Sequence, residues 1–267
     1  MPHVSTGDID TANQFKASRK VALPKPQIKH VAPNQVREWL IRGFTDFKAT
    51  PITSLLYGAL YTLACIAIFN ATREMPSLTL GFMSGLLILG PFLAVGLYSA
   101  AKQIEAGEKV SIRSTFRVIR ERALGIGLLA VFLAILMIAW LRISTLLMAV
   151  NVRSTGIGFE AFTSQVFQLE NISWLALYAL IGALFAGAAF VTNLVALPLI
   201  MDKGHDTVTA VITSIKAFSV NRKTLLFWGA AIVGMSLLGI VTYFLAFAVI
   251  FPVLGYATWH SYRDMIE

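Results

Sequence analysis

Charge is what this sequence has least of: 13% of its 267 residues are Asp, Glu, Lys or Arg and 57% are hydrophobic. A soluble domain carries about a quarter charged residues, so this chain lacks the polar surface to stay in water and its solvent is lipid. Cysteine is nearly missing. The single Cys65 excludes an intrachain disulfide and any zinc or iron–sulfur site built from this chain's cysteines. Histidine is sparse and badly placed for redox chemistry. His3 and His30 lie in the N-terminal stretch and His205 and His260 beside expected membrane surfaces, leaving no ligand at membrane depth for haem or copper. No phosphate-binding glycine loop, no HExxH and no paired intramembrane carboxylates occur. Asp202, His205 and Asp206 cluster in sequence, but at that spacing they read as a solvated charged turn rather than a metal site. No catalytic constellation, metal or cofactor is therefore expected, and the chain reads as a non-enzyme.

What is abundant is uncharged length. Met75 to Ala101 holds 27 consecutive residues without a formal charge, and similar runs occupy Ala49 to Thr72, Ala123 to Leu141, Asn171 to Met201 and Thr224 to Ser261. About 20 residues of helix cross the hydrocarbon core. The last run has 38 residues and would extend roughly 57 Å as one helix, so it must break, most simply near Gly239 to Thr242. The expected fold is all-α: a polytopic transmembrane bundle with six spans over residues 49–265.

Cations mark one side. Lys and Arg number eight in residues 1–50, six in 102–123 and four in 202–223, whereas Arg73 and Arg153 stand alone in the alternate loops. Basic loops stay cytoplasmic, which puts the N-terminus inside and, with six spans, the C-terminus inside as well. The net charge of +8 thus serves orientation and contact with anionic headgroups, with no nucleic-acid partner expected.

Residues 1–33 are polar and proline-containing and read as a disordered cytoplasmic tail. Residues 34–48 place Val36, Trp39, Leu40, Gly43, Phe44 and Phe47 on one face, an interfacial amphipathic helix with Trp39 as its headgroup anchor. Gly81 and Gly85 form a GxxxG pair that lets another helix approach closely, and Pro91 kinks the second span. Between Lys102 and Arg122, Ile112, Phe116 and Ile119 stripe one side and Arg113, Arg117 and Arg120 another, a second surface helix. Arg142 ends nineteen apolar residues, where it either snorkels to outer headgroups or projects into the bundle. The outer loop 151–172 has room for a short helix carrying Phe159, Phe162, Val166 and Leu169. In the fourth span Ala179, Ala183, Gly187 and Thr192 suit tight helix contacts and Asn193 an interhelical hydrogen bond. Trp259, Tyr262 and Arg263 read as inner-interface anchors. The pattern after the fourth span echoes that after the second: a proline (Pro91, Pro198), a charged turn, an amphipathic segment, basic residues and another apolar run. The match is in pattern more than in identity, and it is the pattern that an internal repeat would leave.

The stretches EWLIRGFTDFKATPITSLLYG, GPFLAVGLYSAAKQIEAGE and FPVLGYATWHSYRD resemble an uncharacterised family of bacterial inner-membrane proteins, a domain of unknown function, some members of which carry a cytochrome c oxidase subunit label. The resemblance covers residues 36–265. It implies a bacterial inner membrane and a multi-span bundle and supplies no mechanism; the family often has histidine where Tyr256 stands. Two functions compete on this reading. One is a non-catalytic accessory or scaffold subunit of a membrane complex, in a respiratory setting if the label holds, binding a membrane-protein partner through faces such as Gly81 and Gly85. The other is a transporter or channel for a small or lipid-like solute, using Pro91, Arg142 and Asn193 around a polar cavity between the repeat units.

Overall fold

The computed structural model describes residues 23–151 and 171–267. Eleven helices occupy them: α1 Gln35–Ala49, α2 Pro51–Thr72, α3 Pro76–Leu93, α4 Val95–Glu105, α5 Ile112–Glu121, α6 Ala123–Asn151, α7 Ile172–Asn193, α8 Ala196–Lys203, α9 Thr207–Val220, α10 Arg222–Val241 and α11 Phe247–Met265. Among the described residues the one extended pairing is an isolated bridge between Ile28 and Ile266. Four segments there are long and apolar enough to cross a membrane: α2, α6, α7 continued through α8, and α10.

Two expected spans take a different form. The second breaks at Ala94 into α3 and α4, three residues beyond Pro91, whose ring nitrogen offers no hydrogen to the carbonyl one turn back. The last run breaks after Val241, as its length requires. Its second half becomes α11, whose end carries Thr258, His260, Ser261, Arg263 and Asp264 and is largely buried in protein rather than in lipid. The connecting turn holds Tyr243 and Phe244 in the left-handed region at φ 50° and 69°, each costing about 1–3 kcal/mol. Contacts hold it there: the Phe244 N–H donates to Gly239 O at 2.8 Å, the Thr62 hydroxyl donates to Phe244 O at 3.3 Å, and the Phe244 ring lies 5.7 Å from that of Phe69.

The fourth span is also interrupted, between Asn193 and Ala196. There Ser214 of α9 substitutes for the lost helical pairing, its hydroxyl donating to Val191 O at 2.7 Å and accepting from the Val195 N–H at 3.3 Å. Both interruptions are followed by the same succession. In α3–α6 and in α7–α10, an apolar helix of 18 or 22 residues is followed by a short helix, a left-handed glycine (Gly107 at φ 69°, Gly204 at φ 71°), a side-chain-capped helix and a longer apolar helix. Ser111 caps α5 by accepting from the Ser114 N–H, and Asp206 caps α9 by accepting from the Thr209 N–H at 2.9 Å.

The core is built on α11, which packs against α1, α2 and α4. Glycines allow the approach. A Cβ on Gly43 would sit 2.6 Å from Val253 O, and one on Gly58 would overlap the Ala248 backbone. This packing corrects three expectations. Trp39 is no headgroup anchor: it is fully buried, edge-on to Trp228 with ring centroids 5.8 Å apart, while Ile41 and Phe44 on the same helix are exposed. Trp259 and Tyr262 are likewise interior side chains, because neighbouring helices cover the polar end of α11. Nor are residues 23–33 wholly a loose tail. Val31 is buried, its N–H donating to Asn221 Oδ1 at 2.8 Å and its carbonyl accepting from the Thr224 hydroxyl at 2.7 Å. The rest of the expected tail and the outer-loop helix with Phe159, Phe162, Val166 and Leu169 lie outside the described residues.

Candidate functional site

Two features flank α11, a charged network at the basic end of the bundle and a cleft among the apolar helices. The network joins residues more than 50 positions apart into paired carboxylates. Asp264 accepts from Trp39 Nε1 at 2.8 Å and from the Arg42 guanidinium, and Asp46 Oδ2 lies 2.8 Å from His260 Nε2. Glu105 accepts from Arg263 Nε at 3.0 Å and Trp259 Nε1 at 3.2 Å. Asp202 pairs with Lys102 at 2.7 Å and accepts from the Tyr262 hydroxyl at 2.8 Å. Tyr256 joins the start of α2, its hydroxyl 3.0 Å from both Thr50 and Ser54. A cavity of about 560 Å³ opens beside these groups, bordered by Lys29, Arg42, Lys203 and Arg263.

Asp202, His205 and Asp206 do not converge on a metal: Asp202 joins the network, and Asp206 is committed to its cap. No metal-holding group of three or more His, Cys, Asp or Glu occurs among the described residues. Hydrogen bonds from Thr209 hold the Asp206 carboxyl below the usual carboxylate range, and burial lowers His205, helped by Lys203 nearby. The network was not read from the sequence, because its partners lie 60 to 225 positions apart. The signal was available in the stretches quoted for the resemblance: Trp39, Arg42, Asp46, Glu105, His260, Arg263 and Asp264 all come from them.

The cleft has a volume of about 370 Å³ and is bordered by α3, α7, α10 and α11. Its α7 wall is Ala183, Ala186 and Gly187, its α10 wall Gly229, Ala230 and Val233, and its floor includes Gly90, Pro91, Phe247, Phe251 and Leu254. No charged side chain lines it; the polar residues on its wall are Tyr61, Tyr98, Ser236 and Thr258. Gly90 and Gly187 face open space, with no atom within 4 Å of where a Cβ would stand. Small residues on α7 that suggest tight contact therefore border a gap. Leu180 and Leu184 beside them, and Leu237 and Leu238 on α10, are exposed, so the helices flanking the gap carry apolar outer faces.

The expected site residues fall in different places. Pro91 lines the cleft. Gly81 and Gly85 are covered by α6 of the same chain: a Cβ on Gly81 would lie 2.7 Å from Leu141 Cδ2, and one on Gly85 would overlap Met137. Arg142 is exposed on α6, away from the cleft. Asn193 is buried at the α7–α8 break, where Nδ2 donates to Ala189 O at 2.9 Å and Oδ1 has no partner among the described residues. The structure brings none of Arg142, Asn193 and the glycine pair together.

Residues 78–202 match the model of a family described as predicted integral membrane protein, DUF2189. No curated protein and no solved structure matches the chain. The matched segment runs from α3 to α8 and so contains the α3 and α7 walls of the cleft. The family description names no oxidase, and the match over residues 78–202 agrees with the uncharacterised membrane family read from the sequence: that segment is similar to a family of predicted integral membrane proteins of unknown function.

Proposed function

We propose that this protein is a six-pass protein of the bacterial inner membrane that admits a lipid-like molecule into the cleft between α7 and α10. The observation that carries the reading is the open space beside Gly90 and Gly187 within an uncharged wall facing lipid. An apolar cavity with a few polar groups is the usual form of a small-molecule site. The reading replaces the polar passage expected from the sequence with an apolar one. It is not an enzyme in this account: no nucleophile and base meet in the cleft, whose polar groups are hydroxyls alone. The accessory-subunit alternative drew on the Gly81 and Gly85 face, which α6 fills, so nothing specific favours it.

Six passes follow if α3 with α4, and α11, complete the four long segments, with the basic surface helix α5 on the cytoplasmic side. The matching successions α3–α6 and α7–α10 support an internal duplication, and the cleft takes one wall helix from the first unit and two from the second. On α5, Ile112 and Phe116 are 56% and 67% exposed beside exposed Arg113, Arg117 and Arg120, an arrangement suited to anionic headgroups. Exposed Arg142 suits snorkelling at the opposite surface.

Native mass spectrometry of the protein released from its own membrane tests the cleft. Bound lipid-like mass should survive in the wild type and disappear in Gly187→Leu and Ala186→Phe, which fill the gap. Equal retention by all three, or a delipidated wild type, would overturn the reading. Reporter fusions near residue 108 and near residue 74 should read opposite compartments.

A further inference from the structure

We propose that the occupant of the cleft is an uncharged amphiphile, a hydrocarbon chain carrying a hydroxyl or carbonyl, whose polar group pairs with the Ser236 hydroxyl; this rests on the cleft reading above. The argument begins with what is missing from the wall. A phosphate or carboxylate drawn into a low-dielectric gap needs a cation, and none lines the cleft. The cations beside α11 all face its opposite side, in the network at the basic end, where Arg42, Lys102 and Arg263 are already paired to carboxylates.

The hydroxyls on the wall differ in what they have left to offer. Thr258 donates to Leu254 O at 2.7 Å, and the Tyr98 hydroxyl lies beside it. The Tyr61 hydroxyl lies beside the Cys65 thiol, and its ring is stacked on Phe251 with centroids 4.1 Å apart. Ser236 is different: it is 4% exposed, lines the cleft, and has no hydrogen-bond partner among the described residues. Helical serines commonly satisfy their hydroxyl on the carbonyl a turn back, as Ser84 does with Leu80 O. Ser236 does not, so both its proton and its lone pairs remain for a ligand. It stands fourteen residues along α10, roughly 21 Å from the basic start of that helix, well inside the apolar region. A group that binds there must leave water without carrying charge.

The test uses the full chain in nanodiscs and four diazirine-bearing probes of equal chain length: an alkane, a fatty alcohol, a fatty acid and a phosphatidylglycerol. The alcohol should label peptides from 183–190 and 225–236 more strongly than the acid or the phospholipid. Ser236→Ala should weaken alcohol binding about five- to tenfold while alkane labelling stays unchanged, and Ser236→Thr, which keeps the hydroxyl, should restore it. Preferred labelling by the acid or the phospholipid would overturn the inference, as would an alcohol signal indifferent to Ser236→Ala, while leaving the cleft reading intact. If no probe, the alkane included, enters, or if labelling persists in Gly187→Leu and Ala186→Phe, the cleft reading itself fails.

Discussion

α11 turns His260, Arg263 and Asp264 toward α1, α4 and α8, and Phe247, Phe251 and Leu254 toward α3 and α10, and the two sides are finished differently. On the charged side Asp46, Glu105, Asp202 and Asp264 each have a partner within hydrogen-bond distance, and glycines bring backbones into contact. On the apolar side the small residues stand next to a gap. The difference teaches that one residue type, glycine, does opposite jobs: at Gly43 and Gly58 it removes a side chain so that another helix can occupy the space, and at Gly90 and Gly187 the space is kept.

The largest effect should come from breaking the charged side at its centre. Trp39→Ala removes a fully buried ring that also donates to Asp264, a loss of about 3–5 kcal/mol, read as a fall in the thermal unfolding midpoint in detergent. Next is Gly58→Ala, which forces a methyl into the Ala248 backbone and should destabilise by about 1–3 kcal/mol by the same measurement. A smaller effect belongs to the cap of α9. Asp206→Ala should cost roughly 1 kcal/mol, seen as faster hydrogen exchange at the Thr209 amide. Because the folded Asp206 carboxyl is held below its ordinary range, the contribution of the cap is complete above that range. Wild-type protection should therefore be lost as pH falls through the lowered value, and D206A should show no such pH dependence. The smallest change sharpens the contrast with Gly58. Gly187→Ala meets no atom and should be neutral or stabilising by up to about 1 kcal/mol; a loss comparable to that of Gly58→Ala would mean the gap is filled.

The helices themselves were legible, because uncharged length and proline at Pro51 and Pro76 act locally. So was the break after Val241, which chain length imposes. What covers a helix face was not legible. The stripe with Trp39 suits a bilayer surface or a protein groove equally well, and the choice depends on Asp264, 225 positions later. The site was hidden for the same reason. Asp46 and His260 sit more than 200 positions apart, so neither announces a partner in its own neighbourhood. Ala183, Ala186 and Gly187 spell small volume in sequence, but only the placement of α10 decides whether that volume is occupied. Ser236, one serine in an apolar run, carries no signal until its neighbours are known.

The order of synthesis gives the central position of α11 a further meaning. Of the described helices it leaves the ribosome last, yet α1 and α2 were made first and depend on it for their principal contacts. Until it arrives, Trp39 and Asp46 have no Asp264 or His260 to meet, and Gly58 lines a vacant seam. Among the described helices the last in sequence thus locks the first two, and truncation before Phe247 would leave α1 and α2 without their principal contacts.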